Sequence, residues 1–343
     1  MKRKYQNAFF IFGLVVLAIM ITQLDFAQVR AGLSRAGYWF FAVLLLWVPL
    51  YAINATSWHL IIRSGQTADD GALNRQKPSF ALLYRLTVSG FALNYATPGG
   101  LMGGEPYRIM SLAPLIGTER ASSSVILYVM THIFSHFCFW LLAVAIYVLT
   151  RPLTTGMSIV LAAATLFCLT GIWFFMAGYR KGVAVRLTGL LRFVPFIRKR
   201  AARFIDSHRE RLDTIDRQIA DLNRSNRRTF AAAVGLELFC RLLSAAEIMF
   251  ILLVLMPVTN GTDDPAVSLC NLYIDCVLIL AFTSLIANLL FFMPLQLGGR
   301  EGGFLMSTAG LAMTAGTGIF IALIVRVREL VWTAVGLLLI KLH

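Results

Sequence analysis

Two short motifs bring carboxylates, guanidinium groups and glycines together inside apolar sequence. The first runs Pro98-Gly99-Gly100-Leu101-Met102-Gly103-Gly104-Glu105, followed by Pro106, Tyr107 and Arg108. The second runs Pro294-Leu295-Gln296-Leu297-Gly298-Gly299-Arg300-Glu301, followed by Gly302 and Gly303. In both, a glutamate follows a proline at the same spacing, with a glycine pair just before the charged residues. Proline is favoured at the first position of a helix, so Pro106 predicts a helix starting at Glu105 or Pro106. Such an N-terminus offers free backbone N–H groups and a partial positive charge. Glycines let a ligand or another backbone approach closely. With Arg108 one turn in, the first corner is suited to an anion such as a lipid phosphate. Its candidate binding residues are Pro98, Gly99, Gly100, Gly103, Gly104, Glu105 and Arg108. The second corner offers Gly298, Gly299, Arg300 and Glu301, with the arginine before the glutamate. Each glutamate has three available roles: accepting an amine, carrying a proton, or capping its helix.

Further charged residues lie in apolar surroundings. Arg326, Arg328 and Glu329 interrupt the last apolar stretch. An arginine at the centre of a membrane helix costs about 2.5–3.5 kcal/mol on insertion scales, so each needs a partner. Glu301, Glu105 and a substrate phosphate are candidates, as is an internal pair with Glu329. Glu237 and Arg241 stand four apart, a spacing that reads as a structural pair on one helix face, and Glu247 follows. His132 and His136 also stand four apart, but no His-Glu-x-x-His pattern accompanies them, and no metal site is assigned. Asn54, Asn94 and Asn288 read as hydrogen-bonders between helices. There is no phosphate-binding loop, nucleophile elbow or dinucleotide fingerprint, and no cofactor is assigned.

The elements that must hold these residues are membrane helices. The chain is 58% hydrophobic and 14% charged, with a mean hydropathy of +0.73. Soluble domains carry roughly 25% charged residues. Long continuous apolar runs indicate helices rather than the alternating strands of a barrel. The formal net charge is +14, much of it between Arg180 and Arg228. In a multi-pass membrane protein such a segment is expected in the cytoplasm, facing anionic lipid rather than nucleic acid. The five cysteines, Cys138, Cys168, Cys240, Cys270 and Cys276, form no Cys-x-x-Cys pair and read as small buried hydrophobes. Met1-Lys2-Arg3-Lys4 before an apolar run resembles a signal peptide without a cleavage site, hence a first helix with a cytoplasmic start.

Apolar segments are expected at about Ala8–Leu24, Tyr38–Ile62, Phe80–Ala96, Ser122–Leu149, Met157–Gly178, Thr229–Met256, Ser268–Met293 and Gly318–Ile340. Weaker glycine-rich stretches follow the motifs at Tyr107–Ile116 and Phe304–Thr317. Basic residues place the chain start, Arg63–Lys77, Glu119-Arg120, Arg180–Arg228 and Lys341 on one side, and acidic Thr259–Pro265 on the other. Phe80–Ile116 then starts and ends inside, and Ser268–Thr317 starts and ends outside, although Ser268–Met293 is long enough to span alone. The expected fold is an all-α polytopic membrane protein, an inverted-topology repeat with two broken, re-entrant helical elements. Its parts are a repeat at 1–178 with its broken element at 80–118, a basic amphipathic cytoplasmic segment at 179–228, and a repeat at 229–343 with its broken element at 268–317. Within the basic segment, Val183–Phe196 and Ala201–Leu222 read as amphipathic helices, lying on the membrane domain or on anionic lipid.

The run Asn94-Tyr95-Ala96-Thr97-Pro98-Gly99-Gly100, with Gly103-Gly104-Glu105-Pro106-Tyr107-Arg108 beyond it, resembles the signature of the lysylphosphatidylglycerol synthase transmembrane-region family, or flippase-like domain proteins. The second motif and the arginine-bearing last stretch fit the same pattern, so the resemblance covers nearly the whole chain. It implies lipid or polyprenyl-lipid handling in a bacterial inner membrane. In bifunctional members a soluble aminoacyltransferase domain follows. This chain ends at His343, directly after its last apolar stretch, so a stand-alone membrane domain without that enzyme activity is expected. The resulting expectation is a flippase-like transporter for an anionic or phosphate-bearing lipid, with phosphate held by Arg108, Arg300, Arg326 or Arg328, and with Glu105 and Glu301 selecting the headgroup or coupling protons. The alternatives are a membrane transferase using Glu105 or His136 as base, or a scaffold docked through Arg180–Arg228. Nothing in the pattern fixes an oligomeric state.

Overall fold

A computed structural model describes residues 3–22, 26–64, 77–96, 103–181, 227–255, 265–290 and 298–341. These residues form eleven helices: α1 (Arg3–Thr22), α2 (Phe26–Ala36), α3 (Trp39–Ser64), α4 (Phe80–Ala96), α5 (Gly104–Ile116), α6 (Thr118–Thr150), α7 (Thr155–Lys181), α8 (Arg227–Leu255), α9 (Pro265–Leu289), α10 (Gly299–Gly310) and α11 (Ala315–Lys341). Pro98, Gly99 and Gly100, the Pro294–Leu297 run and nearly all of the basic segment lie outside the described residues.

Among the described residues, five helices are long and apolar enough to cross a membrane: α3, α6, α7, α8 and α9. α11 matches them in length, but Arg326, Arg328 and Glu329 lower its apolar character. Large apolar side chains face outward, such as Trp173 at 70% and Leu149 at 84% exposure. Such apolar surface suits lipid and not water. The chain is thus an all-α, multi-pass membrane protein.

Local chemistry sets the shorter elements. The Ser79 hydroxyl accepts from the Leu82 N–H at 3.2 Å and so caps α4. α5 has 13 residues and α10 has 12, about 20 Å and 18 Å at the α-helical rise, too short to cross the bilayer core. α5 ends at Gly117, whose φ of 86° turns the chain directly into α6. The sequence reading treated Phe304–Thr317 as one stretch. Instead α10 stops at Gly310, the Met313 N–H bonds back to the Thr308 carbonyl at 2.9 Å, and α11 starts at Ala315. The short amphipathic helix α2 was not foreseen.

Two apolar clusters mark the two ends of the bundle. One gathers Phe9 and Phe10 from the start of α1, Ile61 and Ile62 from the end of α3, Leu82 and Leu83 from the start of α4, Ile116 from the end of α5, Ala121 and Ala233 from the starts of α6 and α8, and Ile340 from the end of α11. The Arg120 guanidinium also donates to the Ile62 carbonyl at 3.2 Å, and Lys341 donates to Asn7 at 2.8 Å. α4 therefore enters, and α5 leaves, at the end where the first and last helices meet. The other cluster joins the start of α3 (Val43), the end of α8 (Leu252), Tyr273 early in α9, Leu311 after α10 and Phe320 early in α11. α9 enters and α10 leaves at that opposite end.

Helices α4, α5 and α11 pack through glycine. A Cβ on Gly104 would lie 2.2 Å from the Gly90 carbonyl oxygen, and one on Gly336 would lie 2.5 Å from Ala92 Cβ and 2.8 Å from the Val88 carbonyl oxygen. A Cβ on Gly302 meets nothing within 4 Å. Gly104→Ala should therefore lower the stability of the purified protein by about 1–3 kcal/mol through overpacking. Gly302→Ala should leave it unchanged or raise it by up to about 1 kcal/mol through helix propensity. Thermal unfolding in detergent checks both, and equal midpoints for the two variants would refute the close approach of α4 and α5.

Candidate functional site

The first glycine corner folds in on itself. Asn94 donates to Glu105 Oε1 at 2.8 Å and accepts from the Gly104 N–H at 2.7 Å, which ties the end of α4 to the start of α5. Arg108 sits 3.7 Å from Glu105 and is 1% exposed. Its guanidinium donates to the Leu86 and Thr87 carbonyls at 3.4 and 3.3 Å and lies against the rings of Trp58, Phe91 and Tyr128. It fills the space left by Gly90, where a Cβ would meet Arg108 Nε at 2.3 Å. Arg108, expected to hold a phosphate, turns its side chain into the helix packing.

The second corner is built differently. Glu301 Oε2 accepts from the Gly298 N–H at 2.9 Å, which caps α10. Its Oε1 pairs with Arg326. Arg300 pairs with Glu329. These two ion pairs fasten α10 to the middle of α11. Arg328 reaches neither corner. It grips Glu247 of α8 through two bonds, Nε to Oε1 at 2.7 Å and Nη2 to Oε2 at 3.0 Å. Trp47 Nε1 donates to the same carboxylate at 3.2 Å, and its ring lies 3.9 Å from the Arg328 guanidinium carbon. Arg328 is also 3.7 Å from Glu329. The internal pair foreseen within the last helix exists, but as the weaker of two contacts.

A cavity of about 340 Å³ lies against this network. Its lining comes from the middle of α3, α6, α8 and α11, with α4, α9 and α10 completing it. Arg300, Arg328 and Glu329 are the only expected site residues among the lining residues described. Gly103, Gly104, Glu105 and Arg108 on one side, and Gly298, Gly299, Glu301 and Arg326 on the other, support the lining helices without bordering the cavity. Among the described residues the two corners do not meet as one site: Glu105 is held by Asn94 and Arg108, and Glu301 by the Gly298 N–H and Arg326.

Of the other polar lining residues, Glu237 and Arg241 were expected to be a structural pair, and His136 to be a base in the transferase alternative. Glu237 does not take Arg241 as its partner. Its Oε2 lies 2.8 Å from His132 Nδ1 on α6. Arg241 donates to Ser135 Oγ and to the His132 carbonyl, both at 2.9 Å. Glu237, Arg241, His132 and His136 all line the cavity. Three polar lining atoms are buried without a hydrogen-bond partner: Glu237 Oε1, His136 Nδ1 and Asn54 Oδ1. A buried polar atom without a partner calls for a physical explanation. Asn54 links helices through Cys240 at 3.4 Å, while Asn288 bonds the Ser284 carbonyl of its own helix at 2.8 Å. Cys168, Cys240 and Cys276 are buried as expected, Cys138 is half-buried, and Cys270 is exposed. Among the described residues, no group of three or more His, Cys, Asp or Glu is placed to hold a metal ion.

Removing one partner of a buried ion pair strands the other, at a cost of about 3–5 kcal/mol. Glu247→Ala should therefore destabilise the protein severely. The double substitution Glu247→Leu with Arg328→Met should be less destabilised than Glu247→Ala alone. Thermal unfolding of the purified variants checks the sign, and a double variant worse than the single one would refute the pair.

The model of one protein family, described as Lysylphosphatidylglycerol synthase TM region, matches residues 8–336, nearly the whole chain. No curated protein and no solved structure matches it.

Proposed function

The chain belongs to the lysylphosphatidylglycerol synthase transmembrane-region family, and from that premise we propose that it binds a phosphate-bearing lipid headgroup in the central cavity and moves it between leaflets. The family makes it a membrane protein of the flippase-like domain kind. The observation that carries the reading is the cavity itself. A space of about 340 Å³ at mid-length of the spanning helices is lined by Arg241, Arg300 and Arg328 together with Glu237, Glu247 and Glu329. Charged groups at membrane depth are expensive and mark substrate or ion pathways.

Of the arginines expected to hold phosphate, Arg300 is the best placed. Its side chain is 31% exposed, whereas that of Arg328 is 5% exposed and already bound at both ends of its fork. Arg241 adds a second cation on the facing wall. Arg108 and Arg326 hold helices together in this arrangement. Glu105 ties α5 to α4 through Asn94, while Glu301 caps α10 and fastens it to α11.

Alternating access would come from two broken elements of opposite sense. The order helix, interruption, short helix with an early glutamate, tight turn, long helix occurs at α4–α6 and again at α9–α11. The first pair opens toward the end that gathers α1 and α11, and the second toward the other. This supports an inverted repeat of the kind transporters rock about a fixed site. The end holding Arg120 and Lys341 would face the cytoplasm of a bacterial inner membrane, following the basic residues.

In vesicles of phosphatidylethanolamine and phosphatidylglycerol, the reconstituted chain should speed the movement of acyl-labelled fluorescent phosphatidylglycerol between leaflets. Arg300→Gln, which loses a charge-assisted bond, should slow that movement about tenfold or more. A dithionite-quench assay measures both. Wild-type protein giving no exchange for any anionic phospholipid, with or without a proton gradient, would sink the reading.

A further inference from the structure

We infer that the His132–Glu237 pair is a proton-binding site, loaded and emptied as the headgroup moves. The inference rests on the transport reading above for its cycle, and on the geometry of α6 and α8 for the site.

A carboxylate removed from water needs hydrogen-bond donors for its oxygens. Glu237 is 1% exposed, and its side chain has one donor in reach, His132 Nδ1 at 2.8 Å from Oε2. Its Oε1 is buried with no partner. A neutral imidazole has one N–H to give. One added proton completes the pair, either as a second N–H on the imidazole or as a carboxyl O–H on Glu237. The pair thus has two states that differ by one proton without breaking the bond between α6 and α8. His136 is the adjoining acceptor. Its ring centre lies 5.4 Å from that of His132, and its Nδ1 is buried without a partner. All three side chains line the cavity.

The charges around the pair leave room for that proton. Arg241 stands on the same wall, but Ser135 and the His132 carbonyl hold it. Arg108 lies behind Phe91 and Tyr128, whose rings also face His132. The Tyr128 hydroxyl and the Cys240 thiol are the other titratable groups beside the pair. Further along, Glu247 and Arg328 neutralise each other. The lining therefore carries three arginines against three glutamates. A phosphate entering this balanced space adds negative charge in a medium of low dielectric constant, where uncompensated charge is costly. A proton on His132–Glu237 offsets it, and its release resets the site.

Two measurements on the full chain test this. The first is infrared difference spectroscopy of the purified protein across neutral to acidic pH. It should show a titrating carboxylic-acid stretch coupled to an imidazole signal. Glu237→Gln should abolish the carboxyl signal, and Glu237→Asp should restore one, which separates loss of the site from loss of fold. The second is exchange of acyl-labelled fluorescent phosphatidylglycerol in phosphatidylethanolamine–phosphatidylglycerol vesicles, with and without a pH step across the membrane. A step of one unit should change the wild-type rate by up to about tenfold, the worth of one proton. In Glu237→Gln the ratio of the two rates should fall to about one. A static clamp between α6 and α8 predicts no titrating signal lost in Glu237→Gln, and that result overturns the inference. So does a wild-type rate indifferent to the pH step. Absence of exchange under every condition sinks the transport reading instead, and the infrared titration alone then decides the proton site.

Discussion

The arrangement of this bundle depends on one contact, the two-bonded pair between Arg328 and Glu247. Lipid tails are as apolar as leucine, so apolar side chains alone give membrane helices little reason to choose a register. A guanidinium at mid-helix does, because it must find a carboxylate at its own depth. Meeting Glu247 fixes α11 against α8, and Trp47 brings α3 into the same contact through its N–H and its ring face. The neighbours follow from that placement. With α11 set, Glu329 and Arg326 stand where Arg300 and Glu301 can reach them, and α10 is held by two ion pairs at its first turn. Removing charge here changes position as well as stability.

Small residues supply the second constraint. Gly90 and Gly104 bring α4 and α5 together so closely that the carbonyl of one lies where the Cβ of the other would be, and Gly336 does the same for α11 against α4. The room beside Gly90 is taken by Arg108. An arginine one turn into a helix N-terminus thus serves packing. Its donors are spent on carbonyls and its flat face on three aromatic rings.

What could be read from the sequence was what local chemistry decides. Pro106 and the glycines indicated where α5 would start, and Glu301 stands in the first turn of α10 as its spacing suggested. That Arg326 needs a partner followed from the cost of burying charge, and Glu301, one of the candidates, is that partner. What could not be read depended on how helices face each other. Glu237 and Arg241 have the spacing of a pair along one helix. Yet a neighbour on α6 offers each a better partner, more than a hundred residues away in the chain. Nothing at Glu247 announces Arg328, because the two share a depth and not a sequence motif. For the same reason nothing in the spacing announced that the cavity would join Arg300, Arg328 and Glu329 to Glu237, Arg241 and Glu247. The helix α2 escaped notice because eleven mixed residues carry too little periodicity to stand out beside long apolar runs.

The network also contains its own means of releasing a cation. Glu329 is shared between Arg300 and Arg328, the second contact being 3.7 Å. If a phosphate draws Arg300 away, Glu329 keeps a positive neighbour, and no carboxylate is stranded at membrane depth. The same displacement at Arg328 would strip Glu247 of both its charged bonds and loosen α8 from α11. The two arginines thus divide the work that charge does in the cavity. Arg328 holds the frame, while Arg300 sits on a short helix anchored separately through Glu301 and Arg326.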